Sequence, residues 1–481
     1  MLHKNYTQAE LDFAKALSLA PDSPTILNSL VELKSYNGDY ADAIKYLEKI
    51  IDLEPENKEA GLNLFQLYIQ EGNNDEAHEI LDILFQRHLG DIQLLYAQSN
   101  LQYLNHDWHN LLRTYYSIYL ADSDNTDILQ KIYEIGLATD NERIVIEILM
   151  EIQIENKTTQ VLELLVNLLS GENEYSEAIF YIQELIEIEE NTDQRTINLG
   201  ELYLLNKQFD HVIQTLIPIF QSGNHSLEVL RLLMIAYSNI GKSEEQIAIS
   251  FTLTEEYPEL TIGYEALVSA YLDIGDEVNA LHILHKSIIK FPHEVQFLQT
   301  TANIYYHSKN YSMAEKYFMA ALDINPQMFS IQHNMGIMFE EMKDTQRSDS
   351  LFKNIIIHNE NDAVGLNDYA YLISERNNSS PNDLKYALKL AERAIAMEPD
   401  NAAFLDTIGW IYFKMDTFQK AEEYLEKSLN INNNNPVILE HLGDIYVKLN
   451  KSLEAVSIYE KVLSIDSDNQ LVKNKINNIN E

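Results

Sequence analysis

Cysteine is absent from the 481 residues. That excludes a disulfide framework, a cysteine-ligated zinc site, an iron–sulfur cluster and a thiol nucleophile. Such an absence over this length leans towards an exported protein. Glycine and proline are scarce, with 15 and 10 residues, where average soluble proteins hold roughly 7% and 5%. The shortage argues against sandwiches, barrels and glycine-rich nucleotide folds, and for helices joined by short turns. Basic residues are few as well: 34 Lys and Arg face 75 Asp and Glu, a formal charge of −41. A surface of that sign repels phosphate backbones and anionic lipid headgroups, so neutral or basic polypeptides are the better partners. The same charge also serves simply to keep a long Leu- and Ile-rich array in solution. No apolar run approaches the roughly 18 to 20 residues of a membrane span, and no signal peptide is visible at the start.

Chemistry-bearing motifs are missing too. A zinc helix of the metalloprotease kind needs two histidines four apart with an intervening glutamate. His78-Glu79 and His293-Glu294 each lack the second histidine. His282 with His285, and His106 with His109, have spacings that surface or inter-helix packing explains better than metal binding. There is no phosphate-cradling loop and no serine in a nucleophile elbow. The expectation is a protein that is not an enzyme and carries no cofactor or metal.

What is present is a repeat. ADAIKYLEKIIDLEPEN (Ala41–Asn57) recurs as SMAEKYFMAALDINPQ (Ser312–Gln327), YALKLAERAIAMEPDN (Tyr386–Asn401) and QKAEEYLEKSLNINNNNP (Gln419–Pro436). Each copy reads as an amphipathic helix stopped near Pro or Asn, with another helix before it. On one ruler the units start at Pro24, Lys58, Ile92, Thr126, Thr159, Asp193, Leu227, Thr261, Val295, Phe329, Ala363, Ala402 and Pro436. The interval is 34 residues except for 33 after Thr126 and 39 after Ala363. A small residue is often eighth (Gly200, Ala302, Gly336, Ala370, Gly409, Gly443), where two helices must approach closely. Alanine is often twentieth or equivalent (Ala43, Ala77, Ala178, Ala280, Ala314, Ala387, Ala421, Ala455), and a large ring eleventh, as at Tyr68, Tyr305 and Tyr446.

These residues, in register over Pro24–Asn469, make the chain resemble the tetratricopeptide repeat family, in particular bacterial multi-repeat proteins that are often exported or envelope-associated. The resemblance implies an all-α, right-handed superhelical solenoid of antiparallel helix pairs. About thirteen full repeats follow a half repeat at residues 1–23, and a polar capping helix follows at 470–481. A first array is expected over 24–226, with degenerate repeats at 92–192 where Ser99, Tyr133, Leu111 and Val145 replace the small residues. A second array is expected over 227–469, with an insertion near 376–383 that reads as a contact loop or a tolerated surface insertion. Pro218, inside a helical pattern and followed by QSGNHS, marks either a bend near Pro218–Ser226 or a mild irregularity.

At the start, Ala9, Phe13, Ala16 and Pro21 match the second half of a unit, so Met1 falls in mid-repeat. The expectation is that the natural chain begins upstream. An export signal there would send it to a bacterial periplasm or envelope; without one it is cytoplasmic.

In the family's geometry the first helix of each unit lines the concave face through its second, fifth, ninth, twelfth and thirteenth residues. Those offsets gather 15 acids and the three bases Arg231, Lys414 and Lys448. An acidic groove for a neutral to basic protein or peptide is implied, which argues against a clamp for acidic chaperone tails. Trp410 and Phe413 share one helix face, Tyr371 lies one repeat earlier and Tyr306 further back; these are candidate anchors, although Trp410 as inter-repeat core is the plain alternative. Asp406, Glu440 and Asp444 supply charge. Asn28, Gln66, Asn100, Asn167, Asn303 and Asn367 are candidates for hydrogen bonds to a partner's backbone, or simply a solvated polar face. The functions this supports are a polypeptide-binding scaffold, a structural component that self-associates, or the targeting arm of an enzyme complex.

Overall fold

The computed structural model describes residues 2–480 apart from 124, 156 and 189–191, with the backbone alone at 2–7, 155 and 480. Met1 and Glu481, used above, lie outside them. Among the described residues there are 28 α-helices, α1 to α28, and no strand. Twelve of the thirteen expected units begin a helix at the residue the spacing names, from α2 at Pro24 to α26 at Pro436. In the remaining unit α16 begins at Ile262, one residue after Thr261.

The register has a local cause. Polar side chains cap many first helices: Asn57, Thr158, Thr192, Ser226, Asp362, Asn401 and Asn435 each accept from a backbone N–H of the first turn. The turn to the second helix passes through the left-handed region at the fifteenth residue of the unit. Gly38, Gly72, Gly241 and Gly275 stand there in four repeats, but His106, Asp140, Asn173, Lys207, Lys309, Lys343, Asp416 and Asn450 do so in eight, with φ between 54° and 62°. The unit starting at Ala363 has no such residue, because its turn carries the insertion.

Close helix approach explains the small residues. A Cβ built on Gly409 would lie 1.8 Å from Leu425 Cδ2 and 3.2 Å from the Ala421 carbonyl oxygen. The alanines at the twentieth position, from Ala43 to Ala455, are fully buried.

The chain divides into two compact units, Met1–Lys242 and Ser243–Glu481. The division falls inside the seventh repeat, between α14 (Leu227–Asn239) and α15 (Ser243–Glu256). There the twentieth position is Gln246, 3% exposed, whose Nε2 donates to the Ala266 carbonyl at 3.4 Å while Oε1 has no partner. In the first unit the core runs through Leu27, Leu47, Leu64, Phe65, Leu81 and Leu94. In the second, Phe352 stacks on Tyr369 at 4.9 Å within a cluster that includes Leu366 and Ile408. Pro218 lies inside α13 (Phe209–Gln221), which ends three residues after it.

The insertion is well anchored. Arg376 reaches Glu340 and, at 2.7 Å, Asp349. The Ser379 hydroxyl donates to the Ile373 carbonyl at 2.5 Å, and Ser380 with Asp383 forms a capping box that starts α23 (Pro381–Met397). No helix among the described residues is long and apolar enough to cross a membrane.

Candidate partner-binding faces

In the second unit, neighbouring first helices are joined by polar pairs about 35 residues apart. These helices are α18 (Val295–His307), α20 (Phe329–Glu341), α22 (Ala363–Glu375), α24 (Ala402–Lys414), α26 (Pro436–Lys448) and α28 (Gln470–Asn480). His333 Nε2 lies 3.0 Å from Asp368, Asp406 2.9 Å from His441 Nδ1, and Lys475 Nζ 2.8 Å from Glu440. In each pair the fifth residue of one unit meets the sixth of the next. The Asp368 carboxylate raises the pKa of His333 against the opposing pull of burial. Burial alone would lower Lys475, but its bonds to Asp444 and Glu440 outweigh that and raise it.

Most of the expected anchors are brought together here. Trp410 is 8% exposed: its ring stacks on His441 at 3.9 Å and on Phe413 at 4.7 Å. Its Nε1–H donates to Glu375 at 2.7 Å, and Lys414 sits over the ring and pairs with Glu375 at 2.8 Å. Burial pushes Glu375 up, yet the bonds from Lys414 and Trp410 hold it below the ordinary glutamate value. Asp406 and His441 are 7% and 8% exposed. Tyr371 and Phe413 are half-buried. Burial, with the charges of Glu375, Asp406 and Glu440, pushes the Tyr371 hydroxyl up to about 12.

Asn367 is 6% exposed; its Nδ2 donates to Asp368 at 3.2 Å and its Oδ1 is buried without a partner. Glu440 and Asp444 share Lys475, and Asp444 also accepts from Tyr459 at 2.5 Å. Tyr306 stands apart, donating to Glu341 at 2.7 Å. Sequence reasoning missed His441, Glu375 and Lys475 as partners of these groups. A search for opposite charges 35 residues apart would have found the Glu440–Lys475 pair.

The first unit differs. A cleft of about 700 Å³ opens between α4 (Lys58–Glu71) and α6 (Ile92–Leu104). Glu59, Asn63, Gln66, Gln93, Tyr96 and Asn100 line it and are exposed. Leu62 and Ala97 form a half-buried floor. Lys58, at one end, is held by Asp91 at 2.6 Å, and this contact lowers the Asp91 pKa. The amides of Asn63, Gln66, Gln93 and Asn100 make no side-chain hydrogen bond among the described residues. Of these, Gln66 and Asn100 were singled out from the sequence; Asn63, Gln93 and Tyr96 were not. Because planar amides both donate and accept, the cleft can satisfy a peptide backbone without needing charge.

Residues 36–101 and 295–328 match family models described as Tetratricopeptide repeat, and residues 380–462 match one described as Anaphase-promoting complex, cyclosome, subunit 3. The BBSome complex member BBS4 of Bos taurus is 24% identical over 127 residues, 26% of this chain and 23% of that protein. A TPR repeat-containing protein of Pseudomonas aeruginosa is 21% identical over 200 residues, 40% of this chain and 33% of that one. The chain thus spans a third or less of the length of these curated relatives. Among solved structures, Naa15/Naa10 bound to HypK-THB aligns with 15% identity and a TM-score of 0.46, covering 91% of this chain and 68% of that one. The APC/C assembly Cut9–Hcn1 aligns with 15% identity and a TM-score of 0.42, covering 100% and 94%.

Proposed function

Since the chain is a tetratricopeptide-repeat protein, we propose that it is a non-catalytic scaffold that holds a polypeptide partner against the first helices of its repeats. The observation that carries this is the α4–α6 cleft, where amide side chains lie exposed with no partner of their own. A groove whose polar groups are already paired has little left to offer a ligand. One whose amides are unpaired gains hydrogen bonds on binding at the cost of displacing water alone. The ligand this suits is an extended, neutral to basic segment bound through its backbone, with Tyr96 packing against a side chain.

The second unit supports a further contact. Tyr371 and Phe413 keep part of their rings open, with the buried Trp410 and Asp406 close by and Asn367, Glu440 and Asp444 on the same run of first helices; Tyr306, also half-buried, stands apart on α18. Pairing of Asp406, Glu440 and Asp444 with His441 and Lys475 reduces the charge this face offers a basic ligand.

The test is affinity capture from native lysate at low salt. The intact chain is compared with an Asn63→Ala, Gln66→Ala, Asn100→Ala variant and with a Tyr371→Ala, Phe413→Ala variant, each of unchanged helicity. A protein held by the intact chain and lost by the first variant supports the amide cleft; loss by the second alone moves the site to the C-terminal face. Equal capture by all three sinks the reading.

A further inference from the structure

Glu341, the last residue of α20, is exposed yet fixed in place. The Tyr306 hydroxyl donates to its Oε1 at 2.7 Å. The hydroxyl of Tyr311, which starts α19 (Tyr311–Ile324), donates to its Oε2 at 3.0 Å. Both donors are neutral, so the carboxylate is oriented without being neutralised. The bond to Glu341 raises the Tyr311 pKa, and burial followed by the same bond raises that of Tyr306, so both hydroxyls stay protonated. Neighbouring acids are placed differently. Glu340 is held by Arg376, Glu375 by Lys414 and Glu440 by Lys475. Glu341 has no cationic partner among the described residues; its two bonds are the ones from tyrosine.

A cavity of about 440 Å³ opens beside this carboxylate, between the end of α20 and the insertion that follows α22. Leu372 gives it a half-buried apolar wall. Asn377 and Asn378 of the insertion are exposed, and their amides make no side-chain hydrogen bond among the described residues. The charged residues of the lining are Glu340, Glu341, Glu375, Lys343 and Arg376. Arg376 is spent on Glu340 and Asp349, and Glu375 on Lys414. Glu341 and Lys343 remain, with opposite signs. Two things decide between them. The carboxylate is already immobile, whereas the exposed Lys343 would have to give up rotamer freedom to fix its ammonium. The field of a chain of charge −41 also draws cations in and turns anions away.

We propose that this cavity takes an arginine side chain of a polypeptide partner, its guanidinium meeting Glu341 and its methylenes lying along Leu372. A guanidinium only donates, and its N–H groups form a rigid planar fork. It suits a carboxylate held in one orientation, with further acceptors around it, and the amide oxygens of Asn377 and Asn378 are those acceptors. A lysine ammonium is a compact point charge that gains less from such a spread of oxygens. The long repeat thereby acquires a use for its insertion: the added turn carries both amides, and the Arg376 bonds, the Ser379 bond and the capping box keep that turn in place. The inference rests on the scaffold reading and names one side chain of the ligand. It does not involve the α4–α6 cleft.

The test titrates the full chain, methyl-labelled at leucine and threonine, with N-acetyl-arginine amide. The methyl signals of Leu372 and Thr345, both in the lining, report binding. Saturable shifts are expected, and the affinity should fall as salt rises. The citrulline amide, alike in shape but uncharged, should bind about tenfold more weakly, and the lysine amide also more weakly than arginine. Glu341→Gln, at an exposed site, should weaken arginine binding about tenfold. Tyr311→Phe keeps the charge but frees the carboxylate, and should weaken binding severalfold. Lys343→Met removes the competing cation and should strengthen it. The comparison of probes needs no variant, so a misfolded variant cannot hide the answer. Four results overturn the proposal: no shift at Leu372 and Thr345, citrulline binding as tightly as arginine, lysine doing so, or a Glu341→Gln chain that binds like the parent. None of them bears on the capture experiment at the amide cleft, which decides the scaffold reading by itself.

Discussion

The carboxylate of Asp406 and the imidazole of His441, 35 residues apart along the chain, meet at 2.9 Å with both residues more than nine-tenths buried. Trp410 stacks on the face of the same imidazole, 3.9 Å between ring centres. A hydrogen-bonded, stacked joint thus ties α24 to α26.

Removing one side of that joint leaves the other buried and unpaired. Asp406→Ala is expected to cost about 1–3 kcal/mol, the scale of leaving a buried hydrogen-bonding group without its partner. Because stability in a repeat array is local, the effect should appear first as faster hydrogen exchange in α24 and α26. Exchange rates unchanged in those helices would mean that the joint contributes little.

The chain has two tryptophans, Trp108 and Trp410. With Trp108→Phe, the remaining emission comes from a ring that is 8% exposed, so it should be blue-shifted and resist acrylamide quenching. A partner that uses Trp410 as an anchor has to lift its cover of His441, Glu375 and Lys414 first. Binding would then shift the emission maximum to longer wavelength. Binding with no change would confine Trp410 to packing.

His333 gives a pH dependence with a definite sign. Asp368 raises its pKa above the ordinary 6.5, so protonated His333 is favoured in the folded chain. That contribution is complete below the ordinary value and is lost as pH rises through the raised one. The thermal stability of the second unit's helices should therefore fall from mildly acidic towards alkaline pH, and Asp368→Asn should flatten the profile. A parent and variant with the same slope would remove His333 from the account.

Two glycines make a matched pair. Gly409→Ala places a methyl 1.8 Å from Leu425 Cδ2 and should destabilise by about 1–3 kcal/mol through overpacking. Gly171→Ala, at the end of α10 (Thr159–Gly171), meets nothing within 4 Å and should be neutral or gain up to about 1 kcal/mol from helix propensity. Denaturant midpoints at constant slope separate the two.

The helix pairs were legible because their signals are local and repeated: caps, small residues and stop signals recur at one spacing, and twelve helix starts follow from it. The left-handed fifteenth residue was harder to see, since Lys, His, Asp and Asn hold it in eight repeats and glycine in only four. The surroundings of Trp410 were not legible. They depend on His441 and Glu375, which belong to different repeats and meet it only once helix packing fixes the lateral register. The third repeat was read as degenerate because Ser99 and Leu111 break the small-residue pattern. Its first helix, α6, carries no charged side chain, a local feature that a net value for the whole chain averages away.

The 39-residue unit at Ala363 has an effect on phase. Its added residues are taken up in the turn and in the longer α23, and α24 still starts at Ala402 with its cap in place. Lengthening the array at that point is silent to every repeat downstream. One residue added inside α24 would instead rotate the rest of that helix by about 100°, turning Trp410 and Phe413 away from their partners. Length variation in such a chain is therefore tolerated by address: free at the turns, forbidden within the helices that carry the joints.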